Sequence, residues 1–447
     1  MSLAPSHLSS YSAQLTPQHR LSSHALTRSD PVPVLLKASR EPAHAPSFSL
    51  RLPREFDATS QRASGRCWIF ACLNMLRRSM LGKLDLPASF QLSQSYVFFF
   101  DKLERCNYFL DSVIGTAASP LDSRLVQHLL SSPLNDGGQW EMLVNVIEKY
   151  GVVPLDAYPD TWSSTASLKM NRFLTSLLRS WAAKLREAIE GGRGEAELEG
   201  MKQGYLAEAY RVLVIHLGEP PSSVDFSFHA AKDKLFTRLP SMSPLDFYHT
   251  QVPTQTGAFV SLINDPRNPY FAAYTVEYLG NVVGGLPVYY INVPIELLKK
   301  YALRTLQAGE SVWMGCDFGK HFNRSTQVMD TEQFAHDLVY GVEPEQSKEE
   351  RLRYGQSLMT HAMQFVGADL PEGREFPTKW RIENSHGKEL GDKGYALMTD
   401  EWFDEYMYQI AVRKDMVVED ERIKALLDDT SKVTVLPAWD PMGALAE

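Results

Sequence analysis

The segment CWIFACLNMLRRSML at 67–81 is apolar on nearly every side until Arg77 and Arg78 near its end. A helix of this kind is stable only when other elements cover most of its surface. Both arginines lie in its C-terminal half, where the helix dipole favours positive charge. The chain must therefore build a large core around this segment, and its 447 residues are enough for two to four domains or one large domain with insertions.

The composition is that of an ordinary globular protein, with 44% hydrophobic residues, 22% charged residues and a net charge of -9. It excludes disordered and collagen-like chains, and it gives no overall attraction for nucleic acid. Four cysteines without a CxxC pair argue against a disulfide framework and an all-cysteine zinc site. No apolar run approaches the ~20 residues that span a bilayer. We expect a cytoplasmic protein with no membrane contact, although the Ser-, His- and Arg-rich bias of 1–40 leaves a mitochondrial address open.

The order of the elements predicts an α+β fold with two lobes, because helical patterns come first and strand patterns follow. Helices are predicted at 67–81, 91–105, 121–131 and from 141 to a stop at Gly151, and a helical hairpin at 163–218. Strand-like segments occupy 257–264, 286–293 and 311–319, and the C-terminal third contains the further segments 379–385, 394–403 and 405–414. We divide the chain into an N-terminal arm that packs on the body (1–60), a helical lobe (61–162), a helical insertion (163–250), a β-rich lobe (251–435) and a C-terminal arm (436–447).

Cys67 is the strongest candidate for a nucleophile. It lies where a Ser-Gly-Arg loop (64–66) enters the apolar helix, and the N–H groups of a helix start can stabilise a thiolate. Gln61 lies six residues upstream, where its amide and the Cys67 N–H could both donate to an oxyanion. Without such a context, Cys72, Cys106 and Cys316 are interpreted as small buried hydrophobic residues.

The string QRASGRCWIF (61–70) resembles the nucleophile segment of papain-like cysteine peptidases. Its form Q-x-x-S-G-R-C-W is similar to the bleomycin hydrolase and aminopeptidase C branch, and the resemblance runs from about residue 10 to the end. It implies that His361, in LMTHAM, is the catalytic base and that Asn384, in KWRIENSHG, accepts a hydrogen bond from its imidazole. Taken alone, His361 would be interpreted as a core residue and Asn384 as a turn residue. No metal or organic cofactor is implied.

Two features depart from the plain papain pattern. His386 stands where the family has tryptophan after Asn-Ser, so we expect a wetter, weaker triad or a shifted pH profile. His361 also lies 294 positions after Cys67, against the ~130–150 of papain-like enzymes. The helical insertion is the natural place for much of the extra chain. In bleomycin hydrolases an insertion of this kind helps to build the oligomer.

The resemblance also assigns substrate contacts. NDGGQWEM (135–142) is similar to the segment that pairs with substrate backbone, which implicates Gly137 and Gly138. The ending LPAWDPMGALAE (436–447) is similar to the arm that lies in the cleft of bleomycin hydrolases and blocks it. The resemblance implies that Ala446 and Glu447, at the end of this arm, contact the substrate. The terminal carboxylate would then bind the α-amine of the substrate.

The resemblance therefore implies an intracellular cysteine aminopeptidase. It would form a thioacyl-enzyme with peptides and with small amides such as bleomycin, or with homocysteine thiolactone, inside a homohexamer. An endopeptidase of the same fold remains an alternative, as does a pseudoenzyme disabled by His386. A third alternative is a nucleic-acid-binding member with secondary or lost peptidase activity. The net charge predicts weak or no such binding, while a basic helix face keeps it open: Lys169, Arg172, Arg179, Lys184 and Arg186.

Overall fold

The computed structural model of the protein describes residues 2–445, and it begins with an extended arm on the surface. The arm contains α1 (Pro5–Ala13), α2 (Pro17–Leu26), α3 (Pro31–Leu35) and a short strand, β1 (Leu50–Arg51). Arg40 and His44 both bind Asp330, at 2.9 and 2.8 Å. These contacts fasten the arm to the β-rich part of the chain.

The next part of the chain is helical, and its centre is the apolar helix that the sequence predicts. Ser93 caps the longest helix of this part by accepting from the Tyr96 N–H, and Gly151 ends another at a φ of +75°. The helices are α4 (Cys67–Ser79), α5 (Gln94–Gly115), α6 (Arg124–Ser131), α7 (Trp140–Tyr150) and α8 (Trp162–Thr165). All four helix predictions for this part of the chain are confirmed, although α5 extends ten residues beyond the predicted end.

The predicted helical hairpin consists of α9 (Leu168–Glu190) and α10 (Glu195–Leu217). Its apolar stripes are buried against α5 and against each other, and Trp181 stacks on Tyr205 with ring centroids 5.1 Å apart. Beyond Leu217 the helical prediction is wrong, because the chain forms a β-hairpin of β2 (Ser227–His229) and β3 (Phe236–Arg238).

The second half of the chain builds a large mixed sheet. Its helices are α11 (Pro244–Gln251), α12 (Ile295–Gln307), α13 (His336–Tyr340), α14 (Lys348–Arg353), α15 (Asp400–Tyr406), α16 (Lys414–Val417) and α17 (Glu421–Asp428). Its strands are β4 (Phe259–Ile263), β5 (Ala272–Val276), β6 (Tyr290–Asn292), β7 (Val312–Cys316), β8 (Phe322–Asn323), β9 (Val328–Met329), β10 (His361–Asp369), β11 (Lys379–Glu383), β12 (Tyr395–Thr399), β13 (Met407–Arg413) and β14 (Val433–Leu436). The three predicted strand-like segments contain β4, β6 and β7, and the further segments of the C-terminal third contain β11, β12 and β13, with the start of α15 also inside 394–403.

The strand order places β10 at the middle of the sheet. Within residues 2–445 the order is β14-β5-β6-β4-β13-β7-β10-β11-β12-β9-β8, with β1 added against β10. β10 is antiparallel to both β7 and β11. The apolar residues divide into one main core among the helices and one on the sheet, and α4 packs directly on β10. The start of α4 therefore meets the start of β10 at the junction of two lobes.

A buried charge cluster crosses this junction. Arg77 of α4 donates to Glu383 at 2.7 Å, and Arg78 donates to the other oxygen of the same carboxylate. Gln364 of β10 also donates to Glu383, at 2.9 Å. Because Glu383 ends β11, the cluster fixes α4 relative to the strand that leads into Asn384.

Replacing Glu383 by glutamine should destabilise the protein by roughly 3 kcal/mol. The change leaves two buried guanidinium groups without a counter-charge, and breaking a buried ion pair is costly. Urea unfolding followed by tryptophan fluorescence measures the effect. Glu389→Gln, at an exposed carboxylate six residues further on, is the matched control. Equal stability of the two variants would contradict a structural role for this cluster.

Candidate active site

Cys67 opens α4 and is fully buried at the lobe junction. The N–H of Ala362, the second residue of β10, donates to the Cys67 sulfur at 3.4 Å. Because His361 immediately precedes Ala362, the backbone brings the predicted nucleophile and the predicted base to the same point. The position of Cys67 at the start of the helix also directs its own N–H out of the helix, toward any group bound at the sulfur.

His361 and Asn384 are paired as the sequence predicts. The His361 Nε2 and Asn384 Oδ1 atoms are 2.9 Å apart, across the antiparallel strands β10 and β11. An amide oxygen can only accept, so Nε2 carries the proton and Nδ1 keeps its lone pair. Burial, with a smaller effect from His386, lowers the pKa of His361 to about 3 although Asn384 opposes the shift. The unliganded imidazole is therefore neutral and able to accept a proton.

The amide of Asn384 is held by two further side chains. Its Nδ2 donates to Gln327 Oε1 at 3.0 Å and lies 3.2 Å from His386 Nδ1. His361 and Asn384 are only 4% and 1% exposed. The expectation of a wetter pair is therefore wrong, because Phe318 covers His361 at 4.6 Å between ring centroids and His386 lies beside it at 5.3 Å.

Gln61 lies in the loop before α4, six residues ahead of Cys67. Its Nε2 donates to the Ser64 carbonyl at 2.6 Å, and its Oε1 accepts from Ser385 Oγ at 2.5 Å. These bonds fix which end of the amide is the donor. Nε2 carries two N–H groups, so one of them is left to donate to a bound group after the other has bonded to Ser64. Ser385 directly follows Asn384, so one short segment orients both side chains.

Asp136 connects the nucleophile loop to the segment that contains Gly137 and Gly138. Its carboxylate accepts from the Gly65 N–H at 3.1 Å, from Asn171 Nδ2 at 2.6 Å and from the Ser167 hydroxyl. Burial acts to raise the pKa of Asp136, but Lys102 and these three donors hold it below its usual range. The carboxylate is therefore a fixed acceptor between the nucleophile loop, the glycine segment and α9.

The two glycines have different surroundings. A Cβ at Gly138 would lie 2.6 Å from the Trp68 ring, so a side chain cannot fit there. The carbonyl of Gly137 accepts from the Arg105 guanidinium. Close packing against α4 thus explains the absence of a side chain at Gly138, independently of any substrate.

The C-terminal arm reaches this segment. Arg267 holds Asp440 at 2.8 Å, the Tyr290 hydroxyl donates to the Met442 carbonyl at 3.2 Å, and Gln139 donates to the Ala444 carbonyl at 2.7 Å. Gln139 directly follows Gly138. The arm therefore lies beside the glycine segment as far as the structure describes it, and Ala446 and Glu447 lie outside the described residues.

Comparison with known proteins identifies the family. The model of the Peptidase C1-like family matches residues 2–443. The chain belongs to this family. Bleomycin hydrolase from Gallus gallus is 43% identical over 440 residues, which cover 96% of this chain and 95% of that protein. Aminopeptidase C from Lactococcus lactis subsp. lactis (strain IL1403) is 43% identical over 407 residues, 90% of each chain.

A solved structure agrees with the sequence comparison. The crystal structure of PepW from Lactobacillus rhamnosis HN001 matches with a TM-score of 0.96 at 40% identity, covering 100% of this chain and 99% of that one. The predicted papain-like α+β fold and the resemblance to the bleomycin hydrolase and aminopeptidase C branch are confirmed. Separately, none of the helices within residues 2–445 is long and apolar enough to cross a membrane.

Sequence reasoning missed several residues that orient the site. Ser385 lies in the segment KWRIENSHG and Asp136 in NDGGQWEM, so their positions next to Asn384 and Gly137 could have indicated that they orient the site. Nothing in the sequence indicated Gln327, because it lies 57 residues from Asn384, in a turn where its φ is +57°. Arg66 is fully buried and pairs with Asp160 at 2.8 Å, so the basic residue before Cys67 anchors the loop.

Protonation of His386 should limit peptidase activity on the acid side. Burial, followed by Arg324, lowers the pKa of His386 below 6.5, so its ring is neutral at pH 7 and can accept from Asn384. Protonation turns Nδ1 into a donor facing the Asn384 amide and adds positive charge beside His361. We expect kcat/KM to fall as pH decreases below 6.5, and His386→Trp to move that fall to lower pH.

The pH dependence of kcat/KM for the two proteins is the measurement. His229→Trp, a change in the β2–β3 hairpin, is the matched control and should leave the profile in place. An identical acid limb in His386→Trp and the parent protein would exclude His386 as the titrating group.

Proposed function

We propose that the protein is a cysteine aminopeptidase that removes N-terminal residues from peptides and small amides. The observation that carries the proposal is the shared junction of Cys67, His361 and Asn384. There a neutral imidazole is oriented by an amide, and the next N–H contacts the sulfur. Membership of the Peptidase C1-like family and the aminopeptidase C relatives support it.

In the proposed reaction, the Cys67 thiol gives its proton to His361 Nδ1 and the sulfur attacks the scissile carbonyl carbon. The oxyanion receives hydrogen bonds from the Cys67 N–H and from the Gln61 amide. His361 then protonates the leaving amine as the C–N bond breaks, which leaves a thioester on Cys67. Water attacks this thioester with His361 as general base, and Asn384 keeps the imidazole in one tautomer throughout.

We assign the restriction to N-terminal residues to the C-terminal arm. Its anchors at Arg267, Tyr290 and Gln139 support an arm that fills the cleft beside Gly137 and Gly138, the proposed contacts for substrate backbone. We propose that Ala446 and Glu447 close the remaining space and that the terminal carboxylate receives the substrate α-amine. An unblocked cleft would instead give an endopeptidase, which is the alternative named in the sequence analysis.

The substrates, assembly and location remain proposals. The bleomycin hydrolase relatives support bleomycin as a substrate, and homocysteine thiolactone is proposed with it.

Exposed apolar side chains on the helical insertion and its flank support a homohexamer: Trp162, Phe173 and Ile215. We propose weak or no nucleic-acid binding, since a net charge of -9 gives the chain no overall attraction for a polyanion. The buried thiols of Cys72, Cys106 and Cys316 support a reducing location such as the cytoplasm.

Cys67→Ser should abolish hydrolysis of aminoacyl-coumarin substrates, because a hydroxyl is a far weaker nucleophile than a thiol at this site. We expect a loss of at least about 10³-fold in kcat, within the range that covalent catalysis contributes. Cys72→Ser, five residues further along, is the matched control for an altered thiol in the same helix. Equal activity of Cys67→Ser and the parent protein would exclude the mechanism.

Deleting residues 444–447 should open the cleft. We expect the truncated enzyme to cleave N-acetylated peptides that the parent enzyme leaves intact, and to lose kcat/KM on the same peptides with a free amine. Mass spectrometry of the products locates each cleavage. Arg267→Gln, which loosens the arm without shortening it, should give an intermediate result. Failure of both variants to cleave blocked peptides would assign the N-terminal restriction to another part of the chain.

A further inference from the structure

An open cleft of about 540 Å³ lies next to the proposed reaction centre. One wall is the nucleophile loop, with Ser64 and Gly65, and the second is the segment ending at Asn135 and Asp136. The outer wall is the first part of α9, which presents Arg172. The cleft thus combines the two segments that flank the sulfur with a wall from the helical insertion.

The position of this cleft relative to Cys67 and the glycine segment determines which part of a substrate can enter it. Gly65 lies two residues before Cys67, and Asp136 directly precedes Gly137. A substrate held along the glycine segment, with its carbonyl carbon at the sulfur, must direct the side chain of the attacked residue between these two segments. For an aminopeptidase that residue is the N-terminal one.

The charges around the cleft do not cancel. Asp136 is already bound by the Gly65 N–H and by Asn171, with Lys102 at 3.4 Å. Arg179 donates to the carbonyls of Leu130 and Ser131 at 3.0 and 2.9 Å, but those neutral acceptors leave its charge in place. Arg172 is exposed, and across residues 2–445 it has no carboxylate within ion-pair distance.

We propose that this cleft receives the side chain of the substrate's N-terminal residue, and that Arg172 makes the enzyme favour acidic N-terminal residues over basic ones. The inference rests on the proposed aminopeptidase function. A glutamate or aspartate carboxylate in the cleft can pair with Arg172, whereas a lysine or arginine side chain is repelled by both guanidinium groups. Because the site is open to water, the preference is modest, about two- to fivefold, and falls as salt is added.

The test compares kcat/KM for the aminomethylcoumarin derivatives of glutamate, glutamine and lysine. Arg172→Glu should change the glutamate-to-lysine ratio about tenfold in favour of lysine, because attraction becomes repulsion for one substrate and the reverse for the other. Arg172→Gln should give an intermediate ratio. Lys184→Glu makes the same charge change on α9 outside the cleft, and it should leave the ratio unchanged.

The alanine derivative separates the two proposals. If the parent enzyme hydrolyses it and Arg172→Glu leaves the glutamate-to-lysine ratio unchanged, the inference about the cleft is wrong and the proposed function stands. If the ratio changes equally in Lys184→Glu, the effect is general electrostatics and the cleft is again excluded. If the parent enzyme hydrolyses none of the four derivatives, the aminopeptidase function fails and this inference fails with it.

Discussion

The contact between the start of α4 and the start of β10 is the constraint on which the site depends. It joins Cys67 to Ala362 through a backbone donor, and it occurs where two separate hydrophobic cores meet. A shift of one residue in the register of β10 would turn His361 to the opposite face of the sheet. The bulge at Phe365 to Gly367 and the added strand β1 both act on the same strand, so the register is fixed from both sides.

The site also depends on buried charged side chains, although burial costs a charged group its free energy of hydration. Glu383 is almost fully buried, yet it binds Arg77 and Arg78 of α4 and adjoins Asn384. Such a cluster adds little net stability compared with apolar packing, but it penalises every arrangement in which one partner moves away. We infer that its contribution is to geometry, since Asn384, which pairs with His361, is the next residue in the chain.

The local elements could be predicted from the sequence, and the long-range contacts could not. The apolar run at 67–81 and the stop at Gly151 follow from periodicity and glycine conformation alone. Selecting His361 among 12 histidines required the resemblance, since a buried histidine on a strand is by itself ambiguous. The partners of Asn384 and Asp136 are contacts between distant segments, which periodicity does not encode. The sequence predicts a single basic face on α9, but Arg179 and Arg186 bind backbone carbonyls of two different neighbouring segments.

The helical insertion is part of the site and not an appendage to it. Ser167 and Asn171 bind the Asp136 carboxylate, which also holds the Gly65 N–H two residues before Cys67. Removing these donors would leave a buried carboxylate short of partners, and such a group either protonates or moves. Either response would disturb the nucleophile loop and the glycine segment together. The insertion therefore sets the shape of the cleft next to the sulfur, and residues on α9 can alter substrate preference without touching the catalytic groups.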